Sequence, residues 1–318
     1  MDPSSTPDNS FWNGKKLTIT GGGGFLGRVV ADLATERGAD VEVIRSADSD
    51  LRDPAAAESA LKGAEVVINL AANVGGIGYN RKNPAPLLRD NTLMAINVFD
   101  AAVANGVDKL VTAGSVCAYP KFTPVPFLEK NIWDGYPEET NAPYGIAKRV
   151  AQELTDTYRR QYELDAVMPV LANLYGPGDN FDLEDSHVIP ALVRKFVDAE
   201  RSGAETVGLW GTGSASREFL YVDDAARALI MAAETLETSE PVNIGTAQET
   251  TIRELAETIQ DLTGFSGSLE WDPSQPDGQP KRTLDVTRAR DLIGFEAATS
   301  LADGLKLTID YWESVSQA

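Results

Sequence analysis

The chain has 318 residues, 28 Lys+Arg against 48 Asp+Glu, and a net charge of −20 with its single histidine neutral. That length fits one large α/β domain, or a core domain with a smaller lobe, and 42% hydrophobic against 24% charged residues excludes global disorder. The charge argues against nucleic acid or anionic lipid as a partner, because both would be repelled, and no run of about 18 apolar residues offers a membrane span.

Residues 1–14 are polar, carry prolines and lack a basic start, so they read as a disordered lead rather than a signal peptide. One cysteine, Cys117, cannot form an intrachain disulfide and fits a reducing compartment. The expectation is a soluble cytoplasmic protein, including one from a salt-rich cytoplasm.

From residue 15 onward, strands and helices alternate. Lys15–Thr20 is a β-branched run that reads as a strand, followed by a glycine loop and a helical pattern over Arg28–Arg37 that stops at Gly38. Strands are predicted at Val41–Arg45, Glu65–Ala71, Lys109–Thr112, Asp165–Leu171 and Val242–Ile244, and helices at Ala55–Lys62, Asn91–Asn105, Tyr144–Tyr162 and Ile252–Leu262. Such spacing predicts βαβ units and a Rossmann-type, doubly wound parallel sheet. The alternation weakens between Asn180 and Trp210 and again from Gly264. The expected organisation is therefore a dinucleotide-binding domain over residues 15–180, rejoined by 219–263. A smaller lobe for substrate is expected from 181–218 and 264–318, largely toward the C-terminus.

The glycine loop fixes the cofactor class. Gly21, Gly24 and Gly27 have the spacing G-x-x-G-x-x-G between a strand and a helix, where backbone can approach a pyrophosphate at a helix N-terminus. The second strand ends at Arg45 with no acid at its tip. A basic residue there suits a 2′-phosphate, so NADP(H) is favoured over NAD(H). Asp53 reads either as an adenine contact or as a helix cap before Pro54. Downstream, Tyr144 and Lys148 are four apart and share a helix face. An ammonium beside the phenol is expected to lower its pKa toward neutrality, so that the tyrosine can exchange a proton at an alcohol or carbonyl oxygen. Ser115, at the end of the fourth strand, can hydrogen-bond the same oxygen. Read alone, a single cysteine such as Cys117 is more often a small buried hydrophobe after a strand, and His187 a helix cap near Pro190.

Glycine loop, strand-end serine and Y-x-x-x-K occur in the order of the extended short-chain dehydrogenase/reductases, and the chain resembles that family. Within it, the resemblance is to the branch acting on GDP-4-keto-6-deoxy-D-mannose, with 3,5-epimerisation and 4-reduction. It is carried by Ala71-Ala-Asn-Val-Gly-Gly-Ile77, Gly114-Ser-Val-Cys-Ala-Tyr-Pro-Lys121, Ala142-Pro-Tyr-Gly-Ile-Ala-Lys148, Asn173-Leu-Tyr-Gly-Pro177, Ser186-His-Val-Ile-Pro-Ala191, Arg217-Glu-Phe-Leu-Tyr-Val-Asp-Asp224 and Pro276-Asp-Gly278.

The resemblance implies Cys117 as base and His187 as acid at carbons acidified by a neighbouring ketone. Hydride delivery to C4 follows, with Tyr144 as proton donor beside Ser115 and Lys148. It implies an NADP(H) site from Gly21, Gly24, Phe25, Leu26, Gly27, Arg45, Leu70, Ala71, Ala72, Lys148, Asn173 and His187. Arg217 matches the family's diphosphate arginine; Asn173, Lys195, Arg282 with its neighbour Lys281, and Trp210 are further candidates for the nucleotide-diphosphate sugar. No metal ligands are expected. A homodimer is implied, through the helices at 91–105 and 144–162.

Other readings on the same fold remain. A 4,6-dehydratase would place Asp-Glu where Val116-Cys117 stands. A 4-epimerase with held NAD would need neither Cys117 nor His187 and would prefer an acid over Arg45. A 3,5-epimerase without net reduction typically uses a lysine acid. Outside catalysis, a nucleotide-sensing protein is conceivable, although intact Ser115, Tyr144 and Lys148 oppose it.

Overall fold

The computed structural model describes residues 10–275 and 278–316. Residues 1–9 of the expected lead, and 276–277 of the Pro-Asp-Gly motif, lie outside the described residues.

The first half alternates β1 (Lys16–Thr20), α1 (Phe25–Glu36), β2 (Asp40–Ile44), α2 (Pro54–Ala60), β3 (Val66–Asn69), α3 (Ile77–Lys82), α4 (Pro84–Asn105), β4 (Lys109–Thr112) and β5 (Gly114–Ser115). A 3₁₀ turn at Val116–Ala118 then leads by a long loop to α5 (Ala142–Tyr162), β6 (Asp165–Val167), β7 (Pro169–Leu171) and β8 (Asn173–Tyr175). The remainder comprises α6 (Val188–Ser202), β9 (Thr206–Trp210), β10 (Ser216–Arg217), β11 (Phe219–Tyr221), α7 (Val222–Thr235), β12 (Val242–Ile244), β13 (Thr250–Thr251), α8 (Ile252–Thr263), β14 (Ser268–Asp272), α9 (Thr287–Ile293) and α10 (Leu301–Val315).

Five strands pair in parallel in the order β2-β1-β3-β4-β6. A second parallel set, β12-β7-β5, prolongs them, because only Ala113 separates β4 from β5 and only Met168 separates β6 from β7. β3 and β4 are buried at every residue, as parallel strands covered on both faces must be. α1 and α7 bury Val30, Ala34 and Leu229 on one face, while α2 and α4 bury Ala57, Val98 and Phe99 on the other. This is the doubly wound arrangement. Strand order reverses between β2-β1 and β1-β3, which opens a crevice at the carboxyl ends.

A separate apolar core forms the smaller lobe. It joins Val193 and Phe196 of α6, Val207 and Leu209 of β9, Leu255 and Ile259 of α8, and Leu305 of α10. Three expected boundaries therefore move. Residues 10–14 form a turn rather than a free lead, because fully buried Trp12 donates its indole N–H to Glu234, which also pairs with Arg37. The returning segment ends near β12, since α8 gives its apolar face to the lobe. Within 264–318, by contrast, α9 packs Ala289 and Ile293 into the core of the large sheet. The helix expected from Asn91 starts at Pro84, where proline is tolerated in the first turn.

Candidate active site

Between the carboxyl ends of the strands and the lobe runs a cleft of about 1330 Å³. It exceeds the usual size of a single-ligand pocket, about 300–1,000 Å³. Every candidate residue from the sequence except Asp53 and Lys281 lines it. Asp53 instead caps α2: its Oδ1 accepts from Ala55 N at 2.8 Å and Ala56 N at 3.1 Å. That carboxylate is spent on orphan helix N–H groups, and Asp50 to Arg52 line the cleft in its place.

At one end lies the glycine loop. A Cβ on Gly27 would sit 2.4 Å from Gly21 O, so only glycine lets α1 rise this close to the turn. The N-cap of α1, Gly24, has no side-chain capping bond and no acid follows in the first turn. The N–H groups and positive helix end therefore remain available for phosphate. Arg45 is exposed and its stem lies over Gly23, where a Cβ would meet Arg45 Cγ at 2.9 Å. Uncapped helix, glycine cradle and arginine together fit a dinucleotide bearing a 2′-phosphate.

Mid-cleft, β5 ends at Ser115, whose Oγ accepts from Cys117 N at 3.2 Å and so caps the turn that carries the thiol. α5 brings Tyr144 against the same point. Burial pushes the Tyr144 phenol up, the neighbouring Cys117 adds to this, and a hydrogen bond with Ser115 opposes both. The expected lowering toward neutrality is thus not found. Lys148 Nζ donates to Ala113 O at 2.7 Å and lies over the Tyr144 ring face, 5.5 Å from its centroid, rather than at the phenol oxygen. Burial itself brings Lys148 down to about 8. Tyr144 accordingly stays protonated at neutral pH, the form needed to donate to a carbonyl oxygen being reduced.

Across the cleft, His187 occupies the N-cap position of α6 without making a capping bond with its side chain. Its edge is open to the cleft solvent, but the surrounding walls desolvate the ring and lower its pKa. The His187 loop is tied to the large domain. Gly76 N donates to Asp185 O at 2.8 Å, and a Cβ on Gly76 would lie 2.3 Å from Ser186 O. Nearby, burial raises the Asp179 carboxyl to about 7. Its Oδ1 accepts from Asn180 N at 2.7 Å, and its buried Oδ2 has no partner among the described residues.

The far end is cationic in a strongly acidic protein. Lys195 donates to Gly208 O at 2.9 Å, and burial lowers its pKa. Arg217 donates to Ser216 O and Gln279 O. Trp210 is 60% exposed, so it is not a core residue. Asn173 donates to Glu218 O at 2.8 Å. Lys281 points away to Glu249 and does not line the cleft, whereas its neighbour Arg282 is buried and donates to Cys117 Sγ at 3.6 Å.

The profile of the NAD dependent epimerase/dehydratase family matches residues 17–245. A GDP-L-fucose synthase of Arabidopsis thaliana is 41% identical over 300 residues, covering 93% of each chain. The chain belongs to this family, in its GDP-L-fucose synthase branch. The GDP-L-fucose synthase of Escherichia coli K12 is likewise 41% identical, over 94% of this chain and 96% of its own. A GDP-L-fucose synthetase from Naegleria fowleri, solved bound to NADP, superposes with a TM-score of 0.85 at 28% identity over 96% of both chains.

Two residues of this family member escaped sequence reasoning. Gln279 directly follows the Pro-Asp-Gly motif, a position that could have drawn attention to it. Arg52 lines the cofactor end while paired with Asp50 at 2.7 Å and Asp90 at 3.4 Å, and no motif marks it.

Proposed function

We propose that this protein converts GDP-4-keto-6-deoxy-D-mannose to GDP-L-fucose, epimerising C3 and C5 and reducing C4 with NADPH. The carrying observation is that its one thiol and one imidazole, Cys117 and His187, line the same cleft as Ser115, Tyr144 and Lys148. The glycine loop, the N-terminus of α1 and Arg45 would hold the dinucleotide, and Lys195 and Arg217 the diphosphate of the sugar nucleotide. NADPH, when bound, supplies the hydride that C4 accepts.

Ser115 donates a hydrogen bond to the C4 carbonyl oxygen and thereby stabilises the enolate formed when a proton leaves C3 or C5. Cys117 removes that proton from one face and His187 returns one to the other. Tyr144 then gives its phenolic proton to the C4 oxygen. The same reading makes the protein a cytoplasmic homodimer, supported by Leu88 and Leu93 exposed on α4 and Tyr162 exposed on α5. It takes neither nucleic acid nor membrane as partner, in keeping with the charge of −20. Among the described residues, no helix is long and apolar enough to cross a membrane.

Incubation with NADPH and the keto sugar in deuterated water tests the reading, with the product analysed by NMR. Deuterium at both C3 and C5 is expected, and Cys117→Ala or His187→Ala should slow its incorporation by about 10²–10⁴-fold. Reduction without deuterium would remove both residues from their assigned roles.

A further inference from the structure

Arg282 is only 5% exposed, and among the described residues no carboxylate pairs with it. A neutral amide holds it instead: Gln279 Oε1 accepts from Arg282 Nε at 3.1 Å and from Nη2 at 2.9 Å. Gln279 is fixed in turn. Its Nε2 donates to Pro120 O at 3.3 Å and Lys121 O at 3.0 Å, on the loop just beyond Cys117, and its own carbonyl accepts from Arg217. The fork so oriented aims Nη1 at Cys117 Sγ, 3.6 Å away. A buried guanidinium without a carboxylate is costly unless a negative charge visits it, and here the sulfur is the group within reach.

We infer that Arg282, oriented by Gln279, is a positioning residue that stabilises the thiolate of Cys117 and so keeps the base in its working form, rather than being a clasp for the sugar's diphosphate. A free thiol, with its ordinary value near 8.5, is only a few per cent ionised at neutral pH. A fixed cation within about 4–6 Å favours the charged form by about one pH unit or more. Lys148 also couples to Cys117 electrostatically, but among the described residues no other group facing the sulfur turn donates to the sulfur itself. Tyr144 is neutral, Lys148 is turned to Ala113 O and desolvated to about 8, and Arg149 donates to Ala118 O on the far side of the turn. His187 stands across the cleft. The role given to Cys117 rests on the proposed function; the charge stabilisation does not.

Because the chain contains one cysteine, iodoacetamide alkylation of the ligand-free protein reads this thiol alone. The rate is measured from pH 5 to 10 for the parent, Arg282→Met, Arg282→Lys and Gln279→Leu, each checked by circular dichroism, with GDP affinity measured alongside. Arg282→Met should react about tenfold more slowly at pH 7, with the midpoint of its profile about one unit higher. Arg282→Lys should fall between it and the parent, and Gln279→Leu should shift in the same direction; these two carry the test if Arg282→Met does not fold. GDP affinity should change less than twofold. Unchanged alkylation profiles with weakened GDP binding would make Arg282 a diphosphate ligand and overturn the inference. Failure of deuterium exchange alongside shifted profiles would overturn the proposed reaction and leave the thiolate partner standing.

Discussion

Asp179 holds its proton to about pH 7, because its buried Oδ2 has no partner to share a charge. An unfolded aspartate releases its proton near 3.9. Between about pH 4 and pH 7 the native state thus binds a proton the unfolded chain has lost, so this group's stabilising contribution is full below that window and vanishes as pH rises through it. Asp179→Asn cannot titrate. Its melting temperature should fall less than the parent's between pH 5 and pH 8, and parallel melting curves would remove Asp179 from the account. At this scale the sequence was legible where a residue type is rare. One cysteine and one histidine could be singled out at once, and both line the cleft. Burial was not legible: four-residue spacing puts Lys148 beside Tyr144 but does not place Nζ at the phenol, and desolvation then decides the proton's fate.

Among the elements, α2 shows how one carboxylate can serve structure at the margin of a binding cleft. Asp53 satisfies two N–H groups of its first turn. Asp53→Ala should therefore cost about 1 kcal/mol of stability and leave NADPH affinity within twofold, as urea unfolding and fluorescence titration would show. A tenfold loss of affinity would restore Asp53 to the cofactor site. The β1–loop–α1 unit could be read from sequence because glycine spacing and β-branched runs are local signals. α8 could be recognised as a helix, with a capping box at Thr251 and Glu254, yet was placed in the wrong lobe. Amphipathic periodicity says that one face is buried, and not against which core. Within 264–318, α9 was misplaced for the same reason, whereas the ribbon of β9 and β14, which pairs across about sixty residues of intervening chain, lies in the lobe expected from 181–218 and 264–318.

Over the whole molecule, a charge of −20 sets the solution behaviour. Like charges repel in the compact state, and salt screens that repulsion, the Debye length falling from about 10 Å at 0.1 M to about 3 Å at 1 M. Raising KCl from 0.1 to 1 M should stabilise the protein by on the order of 1 kcal/mol, or roughly 2 °C in melting temperature. A falling melting temperature would mean that attractive ion pairs outweigh the repulsion. The tie between Gly76 and Asp185 has another consequence. Cys117 stands on the large sheet, while His187 begins a helix rooted in the other core, and that backbone bond joins the loop before His187 to the β3–α3 loop of the large domain. In the proposed reaction, the two faces of the sugar ring are thus addressed from two cores. On that reading, reseating one core against the other should change the epimerisation while Ser115, Tyr144 and Lys148, all on the large domain, keep their arrangement. Stereochemistry and redox chemistry would then be separable traits within one chain.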